Sequence, residues 1–293
     1  RVYLDGGPGN DRLTSAATAR SILFGRSGDD TLTTSSFELS LFSEAGDDTI
    51  TTTHTEFVSF DARAAPVGIR FDAAQGLLTG RGHTELHFAP GTTVQLGGSS
   101  HDDVLIGTAG VDVLEGAGGA DLVRAGHGAD VIAFSGADHV HGGRGNDLLH
   151  GTFVPGTAQV VDGGPGANQL LAKLSTRRPT SVWDHVLIDL GTDAFEADGK
   201  TTALAGVFTS LVLDGRATRS LTVLGTGGAD SFWLHKGSPD TVVDAGAGND
   251  VLRLGAGDDT IDGGNGNDTA DAGAGNDTCT SVETPTRCET STP

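Results

Sequence analysis

The sequence predicts an all-β chain that folds as a single elongated parallel β-solenoid. The first observation is a period of nine residues: from Ala245 the chain divides into AGAGNDVLR, LGAGDDTID, GGNGNDTAD and AGAGNDTCT. The second is a composition poor in large side chains, because aromatic residues make up only 5% of the 293 residues while 46 residues are Gly. A short fixed period is typical of solenoids, in which each repeat is stable only when its neighbours stack on it.

Each position of the period has a physical role. Gly at the second and fourth positions reaches backbone conformations with positive φ, so G-x-G forms a tight turn. The sixth position is always Asp, and turn carbonyls together with carboxylates are hard oxygen ligands that suit Ca²⁺. The last three residues predict a short strand whose eighth position points inward, and this position holds Leu252, Ile261, Ala270 and Cys279.

This pattern resembles the haemolysin-type calcium-binding repeat of RTX proteins, G-G-x-G-x-D-x-U-x. The resemblance implies a parallel β-roll in which the turns stack along two sides. It also implies that each Ca²⁺ ion lies between adjacent turns of the same side.

The repeat begins near the start of the chain, with GGPGNDRLT from Gly6, GRSGDDTLT from Gly25 and SEAGDDTIT from Ser43. Their acids are about eighteen residues apart, which is one full coil of two strands and two turns, so we expect calcium turns on one side only. The opposite turns, around SAATAR, TSSFEL and TTHTEF, lack acids at this position and should be metal-free. From Gly98 the nine-residue spacing returns.

The candidate metal ligands are the acids at the repeat turns. They are Asp11, Asp30, Asp48, Asp103, Asp112, Asp121, Asp130, Asp138, Asp147, Asp230, Asp240, Asp250, Asp259, Asp268 and Asp277. In GGPGANQLL the acid position holds Asn168, which should weaken or remove a ligand.

Two longer segments interrupt the period, and they resemble each other. PVGIRFDAAQGLLTG parallels HVLIDLGTDAFEADG, and both show the alternating apolar pattern of strands. We interpret them as wider coils of the same solenoid; two small separate domains are the alternative. The expected organisation is a β-roll block with calcium turns on one side at 1–54, wider coils at 55–97, a β-roll block at 98–171, wider coils at 172–224, a β-roll block at 225–280 and a disulfide-closed tail at 281–293.

The formal net charge of −21 lies largely in the turn acids. Without metal these carboxylates repel one another, so metal binding should supply folding free energy. Extracellular Ca²⁺ modules bind at about 10⁻⁴–10⁻³ M, which favours a secreted or cell-surface protein. The acidic balance argues against a nucleic-acid partner, and no apolar stretch is long enough to cross a membrane. A chain that begins at Arg1 fits a mature form after signal cleavage, and a trimmed chain equally well.

The two cysteines, Cys279 and Cys288, close a short loop at the end of the last repeat. We expect a disulfide that fixes the tail over the C-terminal end, consistent with an oxidising compartment. Two free thiols are the alternative.

No motif indicates catalysis. The HTELH segment, His83 to His87, has neither the order nor the helical context of a zinc protease. We therefore expect a non-enzymatic, calcium-stabilised extracellular structural protein, as surface, matrix or stalk material. One alternative is a subunit that stacks head-to-tail into filaments through open solenoid ends, and another is a polysaccharide-acting β-helix enzyme. Trp183, Trp233 and Phe232 either form a carbohydrate or partner surface or fill the wider coils.

Overall fold

The computed structural model describes residues 1–16, 20–36, 38–53, 55–80, 82–88, 91–174, 182–214, 218–234 and 239–292. These residues form strands and turns without any helix, so none of them belongs to an apolar helix that could span a membrane. The chain divides into two compact units. The N-terminal unit comprises Arg1–Phe134 and Asp138–Asp147, and the C-terminal unit comprises Ser135–Ala137 and Leu148–Pro293.

The strands of the N-terminal unit, in chain order, are β1 (Val2–Asp5), β2 (Arg12–Ser15), β3 (Arg20–Ser27), β4 (Thr31–Thr34), β5 (Glu38–Ala45), β6 (Thr49–Thr52), β7 (Phe57–Asp61), β8 (Arg70–Asp72), β9 (Leu77–Thr79), β10 (His83–His87), β11 (Thr93–Gly97), β12 (Val104–Ile106), β13 (Val113–Glu115), β14 (Leu122–His127), β15 (Val131–Phe134) and β16 (His139–Arg144).

The strands of the C-terminal unit are β17 (Leu148–Phe153), β18 (Val160–Asp162), β19 (Asn168–Leu174), β20 (Val186–Asp189), β21 (Ala194–Ala197), β22 (Lys200–Ala205), β23 (Phe208–Asp214), β24 (Ser220–Leu224), β25 (Ser231–Leu234), β26 (Asp240–Asp244), β27 (Ala247–Gly248), β28 (Val251–Arg253), β29 (Thr260–Asp262), β30 (Asn265–Gly266), β31 (Thr269–Asp271), β32 (Thr278–Thr280), β33 (Thr284–Thr286) and β34 (Thr290–Thr292).

In each unit the chain alternates between two sheets, so that one coil adds one parallel strand to each. The first sheet runs β1-β3-β5-β7-β11-β13-β15 in the N-terminal unit and β17-β19-β23-β25-β28-β31-β33 in the C-terminal unit. The second sheet runs β2-β4-β6-β10-β9-β8-β12-β14-β16 and β18-β22-β21-β20-β24-β26-β29-β32-β34. The predicted all-β parallel solenoid is therefore confirmed for both units.

The core lies between the two sheets, because alternate residues of each strand point inward. The eighth position of the repeat is buried as predicted: Leu252, Ile261, Ala270 and Cys279 are each 0% exposed. Leu252 is paired with Ala270 in the first sheet, whereas Ile261 is paired with Cys279 in the second. Successive repeats thus fill two separate columns of the core, one for each sheet.

The two interruptions have a common architecture that differs from the wider coils we expected. In each, one strand of the second sheet is replaced by a three-stranded antiparallel meander, β8-β9-β10 in one unit and β20-β21-β22 in the other. Each meander packs a buried Phe against the first sheet. The ring centres of Phe71 and Phe60 are 5.9 Å apart, and those of Phe195 and Phe153 are 4.3 Å apart. The meanders share the core of their units, which is why they need few apolar residues of their own.

The turns stack closely enough to require glycine at specific points. A Cβ on Gly119 would lie 2.6 Å from the His101 carbonyl oxygen of the coil before, and φ of Gly119 is +131°. Both the contact and the left-handed backbone exclude other residues. The coil spacing is therefore set by backbone against backbone.

The tail is joined to the last repeat by a disulfide between Cys279 and Cys288, as predicted. The aromatic residues divide between core and surface. Phe232 and Trp183 are buried, whereas Trp233 is 48% exposed, with the Arg253 guanidinium 4.7 Å from its ring centre.

Candidate calcium sites

The repeat acids form rows along the two sides of the solenoid, just before the strands. In the N-terminal unit, Asp11, Asp30 and Asp48 precede β2, β4 and β6 of the second sheet. Asp103, Asp121 and Asp138 continue on the side of the second sheet, and Asp112, Asp130 and Asp147 lie on the side of the first. In the C-terminal unit, Asp230, Asp250 and Asp268 precede strands of the first sheet, and Asp259 and Asp277 precede strands of the second.

One carboxylate oxygen of most of the buried acids joins adjacent coils. Oδ1 of Asp121 accepts a hydrogen bond from the backbone N–H of Asp103, and Oδ1 of Asp138 accepts one from Asp121. The same bond, 2.8–3.0 Å long, links Asp11 to Asp30, Asp30 to Asp48, Asp112 to Asp130, Asp130 to Asp147, Asp230 to Asp250, Asp250 to Asp268 and Asp259 to Asp277. Each acid is thereby fixed by the coil before it.

The second carboxylate oxygen is the feature that indicates a cation. Oδ2 is buried and accepts no hydrogen bond in Asp11, Asp30, Asp121, Asp130, Asp250, Asp259, Asp268 and Asp277. A buried carboxylate oxygen without a partner costs free energy that a bound cation would offset. Oδ2 also points at the first glycine of the turn: a Cβ on Gly6 would lie 2.8 Å from Oδ2 of Asp11.

Burial changes the protonation of these acids. Desolvation raises the pKa of Asp121 to about 8, with the neighbouring carboxylates of Asp138 and Asp103 adding to the shift. Desolvation likewise raises the pKa of Asp130 and Asp259 to about 7 and that of Asp230 to about 6. At neutral pH, the metal-free carboxyl groups of Asp121, Asp130 and Asp259 are therefore partly protonated, and a divalent cation would displace these protons.

The carboxylates of three predicted ligands accept hydrogen bonds from a neighbouring Ser or Thr hydroxyl group. Ser99 donates to Asp103, Thr108 to Asp112 and Thr226 to Asp230, with oxygen–oxygen distances from 2.9 to 3.2 Å. In each case Ser or Thr stands at the second position of the repeat, where Gly is usual. Each of these turns is the first on its side of the solenoid after an interruption of the period. Their carboxylates have less need of a cation than those of the following coils.

Two turns depart from the predicted arrangement. Asp240 is exposed, and Thr241 takes the buried position beside it: the backbone N–H of Thr241 donates to Oδ1 of Asp259 at 2.8 Å. Asn168 is fully buried, and its amide nitrogen donates to the Gly164 carbonyl at 2.9 Å. The Asn amide thus directs a hydrogen-bond donor at a turn carbonyl, where a metal would need an acceptor.

A second row, which the sequence analysis missed, runs along the exposed rim. The carboxylate of Asp29 accepts from the backbone N–H of Asp47, and that of Asp240 accepts from Asp258. A side-chain oxygen accepts a backbone N–H bond in the same way in Asn10, Asp102, Asn249 and Asp258. These side chains bond to the coil after them, whereas the buried acids bond to the coil before. The available signal was the fifth position of the repeat, which is Asn or Asp in the four C-terminal repeats.

The donor set fits a hard cation. Among the described residues, no three His, Cys, Asp or Glu side chains converge as a metal cluster. A site among these residues would therefore combine one or two carboxylates with turn carbonyls, such as that of Gly110, which lies against the α-carbon of Gly128 in the next coil. All-oxygen donors of this kind suit Ca²⁺.

A comparison with known families identifies the repeat. The model of the RTX calcium-binding nonapeptide repeat matches residues 97–132, 133–152 and 244–279. These matches, together with the parallel β-solenoid, fit an RTX-type β-roll. No curated protein matches it at a significant level.

The RTX geometry extends beyond the matched residues. The turns at Asp11, Asp30 and Asp48 lie before the first match, yet Oδ1 of Asp30 and Asp48 makes the same bond to the preceding coil. The residues that would hold Ca²⁺ are the buried repeat acids and the carbonyls of their turns. Bound Ca²⁺ would supply positive charge between adjacent coils and neutralise the carboxylates on both sides of it.

Proposed function

We propose that this chain is an extracellular calcium-binding structural protein whose β-roll folds on Ca²⁺ binding. The observation that carries the proposal is the row of buried Oδ2 atoms without partners, such as those of Asp250 and Asp268. A chain of net charge −21 cannot keep these carboxylates both buried and ionised without compensating cations. Ca²⁺ binding then becomes part of the folding free energy.

The role outside the cell follows from affinity and from the disulfide. Extracellular Ca²⁺ modules are half-saturated at about 10⁻⁴–10⁻³ M, a concentration that an oxidising extracellular medium supplies and a cytosol does not. The Cys279–Cys288 disulfide is compatible with the same compartment. We propose that the protein serves as surface, matrix or stalk material and has no catalytic role.

The test is a calcium titration of the EDTA-treated chain, followed by circular dichroism and by sedimentation velocity. We expect a partly unfolded, less compact chain without Ca²⁺ and a compact β-rich chain at about 1–10 mM Ca²⁺, with Mg²⁺ at the same concentration as the control. A chain that is equally compact in EDTA and in Ca²⁺ would rule the proposal out.

The last C-terminal coil is a poor docking edge for another copy of the chain, which argues against head-to-tail filaments. Among the described residues, the last strand of the first sheet is β33, which contains Pro285, and Pro285 has no backbone N–H to donate to a further strand. Electron microscopy of the calcium-loaded protein tests this point. We expect separate particles, and long fibres of uniform width would make assembly the function instead.

A polysaccharide is the second candidate partner, and one face favours it. Trp233 is exposed beside Arg253, and Val212 pairs with Trp233 across the first sheet of the C-terminal unit. A shallow groove beside them is lined by His150, Lys173 and Val212, and also by the carboxylate residue Asp214. An exposed ring with cations nearby suits an anionic glycan. Affinity electrophoresis in uronate and neutral glycans, comparing wild type with Trp233→Ala, tests it: equal migration of both variants would exclude this face.

A further inference from the structure

The tail after the last matched repeat consists of two related six-residue segments. SVETPT covers residues 281–286 and RCETST covers 287–292, and both read x-x-E-T-x-T. Their last three residues form β33 and β34, which lie parallel to β31 and β32. Each segment is thus one further half-coil, shortened by three residues in the turn relative to the nonapeptide.

The shortened turns keep the backbone features of the repeat without glycine. Ser281 and Arg287 have φ of +51° and +55°, in the region that Gly normally occupies. The Ser281 carbonyl lies against the α-carbon of Gly263. The carbonyl of Gly116 lies against Gly98 in the same way inside the repeats. The tail therefore presents a carbonyl where the next repeat would present one.

The tail also extends both rows of carboxylates. Oε2 of Glu283 accepts a hydrogen bond from the backbone N–H of Asp268 at 2.6 Å, and Oε2 of Glu289 accepts one from Asp277 at 2.6 Å. Within the repeats, Asp268 makes this bond to Asp250 at 2.8 Å. Glu has one more methylene group than Asp, which lets it span the gap left by the shorter turn.

The last repeat acids still need a partner on the tail side. Asp268 and Asp277 are at most 1% exposed, and their Oδ2 atoms accept no hydrogen bond. Resting on the proposed calcium function, we propose that Glu283 and Glu289 are ligands of the last Ca²⁺ ion in each row. Each completes its site together with Asp268 or Asp277 and the turn carbonyls. The two terminal sites thus include residues outside the nonapeptide match, which ends at residue 279.

Covalent and ionic contacts hold the tail in place for this role. The Cys279–Cys288 disulfide lies next to Glu289, and Val282 is buried next to Glu283. The Arg287 guanidinium binds the Asp271 carboxylate through two hydrogen bonds. A fixed backbone reduces the entropy lost when a long Glu side chain coordinates a cation.

The test compares wild type with Glu283→Gln, Glu289→Gln and the double variant, using Glu56→Gln as the control on an exposed Glu far along the chain. Gln keeps an oxygen that accepts the Asp N–H bond but removes the negative charge. Bound Ca²⁺ is counted by native mass spectrometry, and affinity is measured by chelator competition. We expect each single variant to lose one ion or to bind it about tenfold more weakly, and the double variant to lose two.

A second measurement, ¹³C NMR of the Glu carboxyl groups, is made on the wild-type protein. In protein labelled with ¹³C at the Glu side-chain carboxyl, the variants serve only to assign the resonances of Glu283 and Glu289. These should move when La³⁺ replaces Ca²⁺ in the folded protein, while that of Glu56 stays in place. Wild-type stoichiometry and affinity in the double variant, or unmoved resonances, would mean that these residues only close the hydrogen-bonded rows. Absence of calcium binding in the wild type would instead refute the proposed function.

Discussion

The first coils and the last coils of the chain solve the same packing problem in different ways. In the first coils, one side carries Asp11, Asp30 and Asp48, while interior hydroxyl groups bond to one another on the other side. Ser15 bonds to Ser21 at 2.7 Å, and Thr34 bonds to Ser36 at 2.7 Å. In the last coils, both sides carry buried carboxylates. Neutral hydroxyl pairs satisfy each other, whereas carboxylate rows need cations, so sensitivity to calcium should rise along the chain.

Calcium removal should therefore affect the two regions unequally. We expect EDTA to abolish hydrogen-exchange protection of β28, β29, β31 and β32, because both of their turn rows lose charge compensation. Strands β3 and β4 should retain more protection through their hydroxyl contacts. Hydrogen-exchange mass spectrometry of the same sample in Ca²⁺ and in EDTA measures both regions. Uniform loss of protection would remove the distinction between them.

The second prediction concerns a single carboxylate of the last coils. Asp259→Ala removes the oxygens that accept the Thr241 N–H bond and that we assign to calcium. We expect about one bound ion fewer and increased exchange in the two neighbouring coils, with no change near Asp11. The matched control is Asp258→Ala, which removes an exposed carboxylate of the adjacent residue. Equal calcium stoichiometry in both variants would contradict the assigned register.

The third prediction is a pH dependence of the metal-free chain. The folded pKa is about 8 for Asp121 and about 7 for Asp130 and Asp259, against an ordinary value of 3.8. Between these values the folded state binds more protons than the unfolded state, so the free energy of unfolding falls as pH rises. In EDTA we expect a higher urea midpoint at about pH 5 than at about pH 8. In saturating Ca²⁺ this difference should shrink or reverse, because the ion replaces the protons.

The smallest effect is expected at the turn where Asn replaces the acid. Asn168→Asp removes the amide that donates to the Gly164 carbonyl and adds a buried charge. We expect lower stability in EDTA and partial recovery in Ca²⁺, with up to one additional ion. Thermal unfolding in the two conditions measures the difference. Asn267→Asp, on the exposed rim, is the control, and an identical calcium response in both variants would show that position 168 cannot hold a metal.

The sequence predicted the parts of the structure in which each position of the repeat holds the same kind of residue for the same purpose, such as the buried core and the rows of acids. Leu252 and Ile261 follow directly from the nine-residue period, and so does the row position of Asp259. Asp240 was misplaced because KGSPDTVV lacks the second glycine that fixes the register, which let Thr241 take the buried position. The hydroxyl partners of Asp103, Asp112 and Asp230 could have been found from Ser and Thr at the second position. The positions of Glu283 and Glu289 could not be predicted from the nine-residue period, because their turns are three residues shorter.

The meanders have an evolutionary consequence. Strand β10 is parallel to β6 and β8 is parallel to β12, while the middle strand β9 is antiparallel to both. A single strand can be exchanged for three without reversing the direction in which the chain leaves the sheet, whereas an exchange for two would reverse it. We therefore expect a β-roll to tolerate insertions within the second sheet when each insertion adds a complete pair of strands. Related β-rolls should differ in length there by two strands at a time.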